Sequence, residues 1–415
     1  MELYEGGCEL KLLETLEGHS DRVWSLSWNP ATGAAGVPLV FASCSGDKTV
    51  RIWEHTPSLS ASWTCKAVLE DTHTRTVRSC SWSPSGKLLA TGSFDATAAI
   101  WENIGGDYEC VSTLEGHESE VKSVSWNAAG TLLATCARDK SVWIWEVQLG
   151  NDFECVCVLQ GHTQDVKMVQ WHPATDVLFS CSYDNTVKVW ADEDGDDEWR
   201  GHSSTVWAIS FNASGDKMVT CSDDLTLKIW ETDNVQGQNV ALVFTYTVGD
   251  ILIVKGLEGF VSVDISDRSA VFTKQWVGTR EVAFIAVFLD DFMWRHLCTL
   301  SGYHDRTIFS VHWSSEGIIA SGAADDAIRV FVEDKEADGP SYKLLLKKEK
   351  AHDMDVNSVQ WSPGEKRLLA SASDDGMIKI WEMNSLSTGQ QHLSLSLKCQ
   401  ITVGVFWSLN YYRLY

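Results

Sequence analysis

Short stretches in which apolar and polar residues alternate recur along this chain, among them VWSLSW at 23–28, VRIW at 50–53 and LLATGS at 88–93. A period of two, enriched in β-branched and aromatic residues, predicts short strands with one face turned to a core. Another apolar-polar segment comes just before each of several histidines, as in YECVSTLEGH and FECVCVLQGH.

These segments are locked to a repeat. A histidine is followed nine residues later by Trp or Phe in seven places: His19 and Trp28, His73 and Trp82, His117 and Trp126, His162 and Trp171, His202 and Phe211, His304 and Trp313, His352 and Trp361. Each unit then carries an Asp six residues before a second aromatic: Asp47 and Trp53, Asp95 and Trp101, Asp139 and Trp145, Asp184 and Trp190, Asp224 and Trp230, Asp325 and Phe331, Asp375 and Trp381. Four strands per roughly 40 to 45 residues, with these marks, are the signature of a propeller blade. The expected fold is therefore all-β, a single seven-bladed propeller over residues 10–383.

Strand order predicts how the ring closes. The first strand, near Leu10 to Leu16, precedes the first histidine, and the last unit has only three strands after His352. The N-terminal strand is expected to complete blade seven, so that no sheet edge is left by an open ring.

Two segments break the pattern. Successive closing aromatics lie 48, 44, 45 and 40 residues apart from Trp53 to Trp230, but 101 residues separate Trp230 from Phe331. The surplus, at 235–292 and between the third and fourth strands of blade five, is rich in Val and Phe and lacks His, Pro and the nine-residue mark, so it is not an eighth blade. It reads either as a functional extension or as translated non-coding sequence from a mistaken gene structure; the apolar tail at 384–415 raises the same choice.

Composition narrows the function. A formal charge of -24 repels phosphate backbones and anionic membrane surfaces, so neither nucleic acid nor membrane is the expected partner. No basic-then-apolar leader opens the chain and no stretch approaches the roughly 18 apolar residues of a span, which points to the cytosol, with nuclear access. Twelve cysteines are too dilute for a disulfide scaffold. Cys44, Cys136, Cys181 and Cys221 each lie three residues before a repeat Asp and read as strand fillers. There is no C-x-x-C; Cys155 and Cys157 are expected to face opposite ways and to pack, and no metal or cofactor is implied.

The His, Asp and aromatic marks, with a Ser or Thr four residues before each Asp, form candidate structural tetrads, such as His19, Ser43, Asp47 and Trp53 in blade one and His117, Thr135, Asp139 and Trp145 in blade three. The remaining fourth members are Thr91, Ser180, Thr220, Ser321 and Ser371, and blade six lacks an indole at Phe331. Because the tetrads use up the Ser, His and Asp that could suggest a triad, no catalytic set is expected.

Binding is expected around the channel mouth. The residue five after each tetrad His gives Trp24, Arg78, Lys122, Lys167, Trp207, Phe309 and Asn357; the residue before each repeat Asp gives Gly46, Phe94, Arg138, Tyr183, Asp223, Ala324 and Asp374. Blades two to four thus contribute Arg78, Lys122, Arg138 and Lys167, flanked by Phe94 and Tyr183, with Trp24 and Trp207 on the neighbouring blades. Arg and aromatic groups suit an interface hot spot for carboxylates and flat apolar groups, with Arg138 foremost. The alternative is that these cations are solvated or paired with Glu120 and Asp165, and the acidic run from Ala191 reads as a solvated loop.

The stretches TCARDKSVWIWE, HTQDVKMVQWHP, SYDNTVKVW, GHSSTVWAISF, CTLSGYHDRTI and DDAIRVF resemble the WD40 protein of cytosolic iron-sulfur assembly, over roughly residues 10–234 and 294–382. The resemblance implies a non-catalytic, monomeric subunit of a hetero-complex. It would join a small α/β adaptor and a HEAT-repeat protein and help deliver Fe-S clusters to cytosolic and nuclear apoproteins. Arg138 falls on the family's exposed top-face arginine. Where relatives carry Leu-Tyr-Arg, thought to recruit a cochaperone, this chain has Val189, Trp190 and Ala191, so the resemblance does not carry that contact over. A generic WD40 adaptor, such as a ubiquitin-ligase substrate receptor or a chromatin-complex subunit, is the competing reading.

Overall fold

The computed structural model describes residues 8–33, 37–56, 62–190, 201–232, 294–337, 339–364 and 367–385, with four strands between 243 and 287. Seven antiparallel sheets follow the repeat. Blade one comprises Val23–Trp28, Val40–Ser45, Val50–Thr56 and Ser62–Leu69, paired in that order. Blades two, three and six keep the same meander, beginning at Val77–Trp82, Val121–Trp126 and Ile308–Trp313. Blade four shows Val166–Trp171, Leu178–Ser182 and Val187–Trp190 among the described residues; the acidic run from Ala191 lies outside them.

The first strands of successive blades touch one another around the ring, blade seven meeting blade one again. Serines on these strands join the blades: Ser27 accepts the Trp82 amide at 3.2 Å, Ser79 that of Val124 at 3.3 Å and Ser210 that of Trp313 at 2.9 Å. Apolar cores lie between blades too. Ala42, Cys44, Val50 and Ile52 of blade one pack with Val77, Cys80, Trp82 and Leu89 of blade two. Cys44, Cys136, Cys181 and Cys221 are fully buried there, and burial pushes the thiols of Cys136, Cys181 and Cys221 upward, so they stay protonated.

Closure pairs the first described strand with the last described one. Cys8–Leu16 pairs antiparallel with Ile378–Ser385, from Cys8 opposite Ser385 to Leu16 opposite Ile378. Leu10 and Leu16 are buried in the flanking cores. The paired strands run two residues past the expected limits of 10 and 383, because Glu9 and Cys8 continue the register opposite Asn384 and Ser385. The rest of the tail lies outside the described residues.

The fourth strand of blade five, Trp294–Ser301, pairs with Thr226–Thr232 across the surplus segment, with Thr232 directly opposite Trp294. Within that segment Val243–Val248, Ile251–Lys255, Ala270–Val277 and Arg280–Val287 make a separate sheet. Its order places the second strand beside the first, the first beside the fourth and the fourth beside the third, which is not a blade meander.

Cys155 and Cys157 do face opposite ways, but alternation alone would put residues two apart on one face. A register shift decides it: Cys157 pairs with Ile144 whereas Cys155 pairs with Trp145, and Ile144 and Trp145 point to opposite sides. Cys157 joins the core between blades three and four, and Cys155 the one between two and three.

Candidate functional site

The tetrads account for the repeated polar residues. In blade three His117 Nδ1 lies 2.8 Å from Asp139, its Nε2 lies 2.9 Å from Thr135 Oγ1, and the Trp145 indole donates to the same hydroxyl at 3.0 Å. The carboxylate only accepts, so Nδ1 carries the proton and the Thr135 hydroxyl donates to Nε2. Burial raises the Asp139 carboxyl, but the bonds from His117 and Ser141 outweigh it and hold the group at about 2. Blade one repeats the set, with His19 2.9 Å from Asp47 and 2.8 Å from Ser43, and Trp53 donating to Ser43 at 2.9 Å. Blades two, four, five and seven do likewise. In blade six His304 keeps Asp325 and Ser321, each at 2.8 Å, while Phe331 packs edge-on to Tyr303 instead of donating. Every tetrad histidine is thus tied on both nitrogens within its own blade. Among the described residues no three metal-ligating side chains come together.

The channel ring has a common backbone cause. In every blade the ladder between first and second strands skips one residue: Trp24, Arg78, Lys122, Lys167, Trp207, Phe309 and Asn357 in turn. A bulged residue is unpaired and its side chain is re-aimed. Neighbours among them then meet across blade boundaries. The Arg78 guanidinium lies 4.9 Å from the Trp24 ring, Lys167 lies 4.8 Å from Trp207, Trp207 meets Phe309 edge-on at 5.1 Å, and Asn357 reaches the Val23 carbonyl at 3.1 Å.

The second ring is held by one recurring hydrogen bond. The amides of Phe94, Arg138 and Tyr183 donate to the carbonyls of Thr76, Glu120 and Asp165 at 2.9 Å each. This brings Phe94 under the Lys122 ammonium at 4.0 Å and Tyr183 within 4.8 Å of Lys167. The structure therefore gathers Arg78, Lys122, Lys167, Phe94, Tyr183, Trp24 and Trp207 at the mouth. Arg138 stands on the rim, with its side chain 59% exposed and Glu120 as an ion-pair partner at 3.5 Å. Lys167 has Asp165 at 3.9 Å, so pairing with these two acids is realised in part.

Arg75 was not among the expected residues. It also reaches Glu120, at 3.3 Å, caps the Phe94 carbonyl and lies 5.9 Å from the Phe94 ring. Its place two residues after the tetrad His73, matched by Arg306 after His304, was the available signal. Glu120 thereby collects Arg75, Arg138 and the Ser119 hydroxyl; burial raises its carboxyl, but its own backbone amide, the Ser119 hydroxyl, Lys122 and Arg75 bring it to about 2. At the close of blade four, Trp190 is engaged by its own tetrad, donating to Ser180 at 2.7 Å.

The WD domain, G-beta repeat family matches residues 10–54, 63–102, 108–146, 153–191, 197–231 and 343–382. Protein CIA1 of Arabidopsis thaliana is 61% identical over 387 residues, covering 92% of this chain and 99% of that protein. The chain belongs to the WD40 family of cytosolic iron-sulfur protein assembly proteins. Other members covered nearly end to end are the probable cytosolic iron-sulfur protein assembly protein Ciao1 of Culex quinquefasciatus, 42% identical over 90% of this chain and 98% of its own length, and the Chlamydomonas reinhardtii CIAO1 homolog, 44% identical with the same coverage. The first three strands of blade six, with Phe331 in place of the closing Trp, fall outside the matched WD spans of this WD40 chain.

Proposed function

We propose that this chain serves cytosolic iron-sulfur protein assembly as a non-catalytic scaffold. It would sit in the complex that targets Fe-S clusters to cytosolic and nuclear apoproteins, joining a small α/β adaptor and a HEAT-repeat protein. The observation that carries the reading is identity of 42% and 44% along 98% of two relatives named for that process. The geometry supports it: the hydroxyl, imidazole and carboxylate groups that a catalytic set would need are committed to a tetrad in each blade, whereas the basic and aromatic channel mouth is open to a partner. The cluster is cargo in this reading, and the cytoplasm is the place of action.

Affinity purification of the tagged chain from cytosol, with mass spectrometry, tests it. Recovery of Fe-S targeting subunits by wild type and by a form lacking residues 235–292, but not by Arg138→Glu, is the expected result. Recovery of a ubiquitin ligase or chromatin complex instead would leave the propeller standing and overturn the function.

A further inference from the structure

Arg78, Lys122 and Lys167 occupy equivalent bulge positions on three consecutive blades, so the fold directs three cations into one part of the channel mouth. They are near enough to repel: burial lowers both ammonium groups, and against Glu120 and Asp165 the neighbours Lys167 and Arg78 lower Lys122 further and Arg78 lowers Lys167. Among the described residues neither Arg78 nor Lys122 has a carboxylate within ion-pair distance; each lies over an aromatic ring, Trp24 and Phe94.

The nearby acids make their closest contacts with other groups. Glu120 takes Arg75 and Arg138 on the rim, Asp374 takes the Asn357 amide at 2.7 Å and Arg22 at 3.4 Å, and Asp223 takes the Trp207 indole at 2.7 Å. Asp165 stands 3.9 Å from Lys167, and Glu120, Asp223 and Asp374 act on the three cations from farther away. Like charges gathered in a partly dehydrated place with carboxylates only at longer range are costly, and a bound anion reduces that cost.

We propose that the channel mouth is a binding site for a small multivalent oxyanion of the phosphate class, held by the Arg78 guanidinium and the Lys122 and Lys167 ammonium groups. A guanidinium fork and two point-charge donors match an anion offering several oxygens in different directions. The site is recessed: the Lys167 side chain is 13% exposed, against 59% for Arg138 on the rim. Recession favours a compact ligand, and so does the net charge of -24, which a large acidic partner would meet in full. An anion within the mouth meets the three cations and the acids beside them, Glu120, Asp165, Asp223 and Asp374, while the rest of the net charge is screened beyond about 8 Å at physiological salt.

Protonation gives a second signature. Burial lowers the Lys122 ammonium to about 8, Glu120 and Asp165 opposing and Lys167 and Arg78 assisting. A bound anion raises it again, so binding takes up a proton and weakens as pH rises through about 8. The site stands apart from the scaffold reading, since the isolated chain suffices to test it.

The test is calorimetric titration of the purified full chain with pyrophosphate and with inositol hexakisphosphate at physiological salt. Variants Lys122→Gln, Arg78→Gln and Arg138→Gln are compared after their melting temperatures are checked. The expected result is one site per chain, weakened about tenfold or more by Lys122→Gln and by Arg78→Gln, little changed by Arg138→Gln, and losing affinity above pH 8. Equal affinity for wild type and Lys122→Gln, no heat with either anion, or saturation by a penta-aspartate peptide with no response to pyrophosphate would each overturn it.

Discussion

Arg138 and Glu120 touch at the rim while Lys122 and Phe94 touch within the mouth, and that difference in depth governs what substitution does. An exposed charge change usually moves stability by no more than about 0.5 kcal/mol. Arg138→Glu should therefore melt within a degree or two of wild type yet retain less partner in a quantitative pull-down; undiminished binding would remove the rim from the interface. A tetrad position behaves oppositely. Thr135→Val would strip His117 Nε2 of its donor and the Trp145 indole of its acceptor at once. Each buried group left unpaired costs about 1–3 kcal/mol, so denaturant unfolding should show a loss of several kcal/mol. A loss below about 1 kcal/mol would mean that the tetrad hydrogen bonds contribute little. Acid acts on the same groups. The folded-state carboxyl of Asp139 lies at about 2, below its ordinary value, so the stability it confers is present above about pH 4 and drains away as pH falls toward 2. Thermal melts across that window should fall more steeply for wild type than for Asp139→Asn.

Blade seven depends on a strand that comes from the other end of the chain. Removing residues 1–16 takes Leu10 and Leu16 from the two cores they share and bares the edge of Ile378–Ser385. Burying one such Leu stabilises by about 2 kcal/mol, and an exposed edge invites association. The truncated chain should aggregate on expression or melt well below full length; a melt like that of the full chain would disprove ring closure by this strand. Blade five makes the reverse case. Thr232 already lies opposite Trp294, so excising 235–292 leaves ends that a short loop spans. The shortened chain should keep its melting temperature within a few degrees and its top-face binding. Collapse of the fold would show that the segment is part of the propeller's own support.

At the scale of the whole molecule, one backbone irregularity repeated around the ring makes the candidate site. The repeat spacing was enough to count seven blades, to pick out each tetrad and to bring the N-terminal strand to blade seven, because every blade needs the same buried polar set and the same alternation wherever it stands in the ring. The same spacing gave the positions of Arg78, Lys122 and Lys167, since they keep a constant offset from the tetrad histidines. What it could not give was their relation to one another. That Arg75 shares Glu120 with Arg138, that Lys122 lies over Phe94, and that a register shift parts Cys155 from Cys157 depend on contacts between residues far apart in the chain and on a bulge that alternation does not register. Local pattern thus determined the blades and their hydrogen-bonded tetrads, because those are solved within each repeat. The tertiary ring alone decided which charges are closely paired and which lie over aromatic rings at the channel, because electrostatic partners are set by distance across blades.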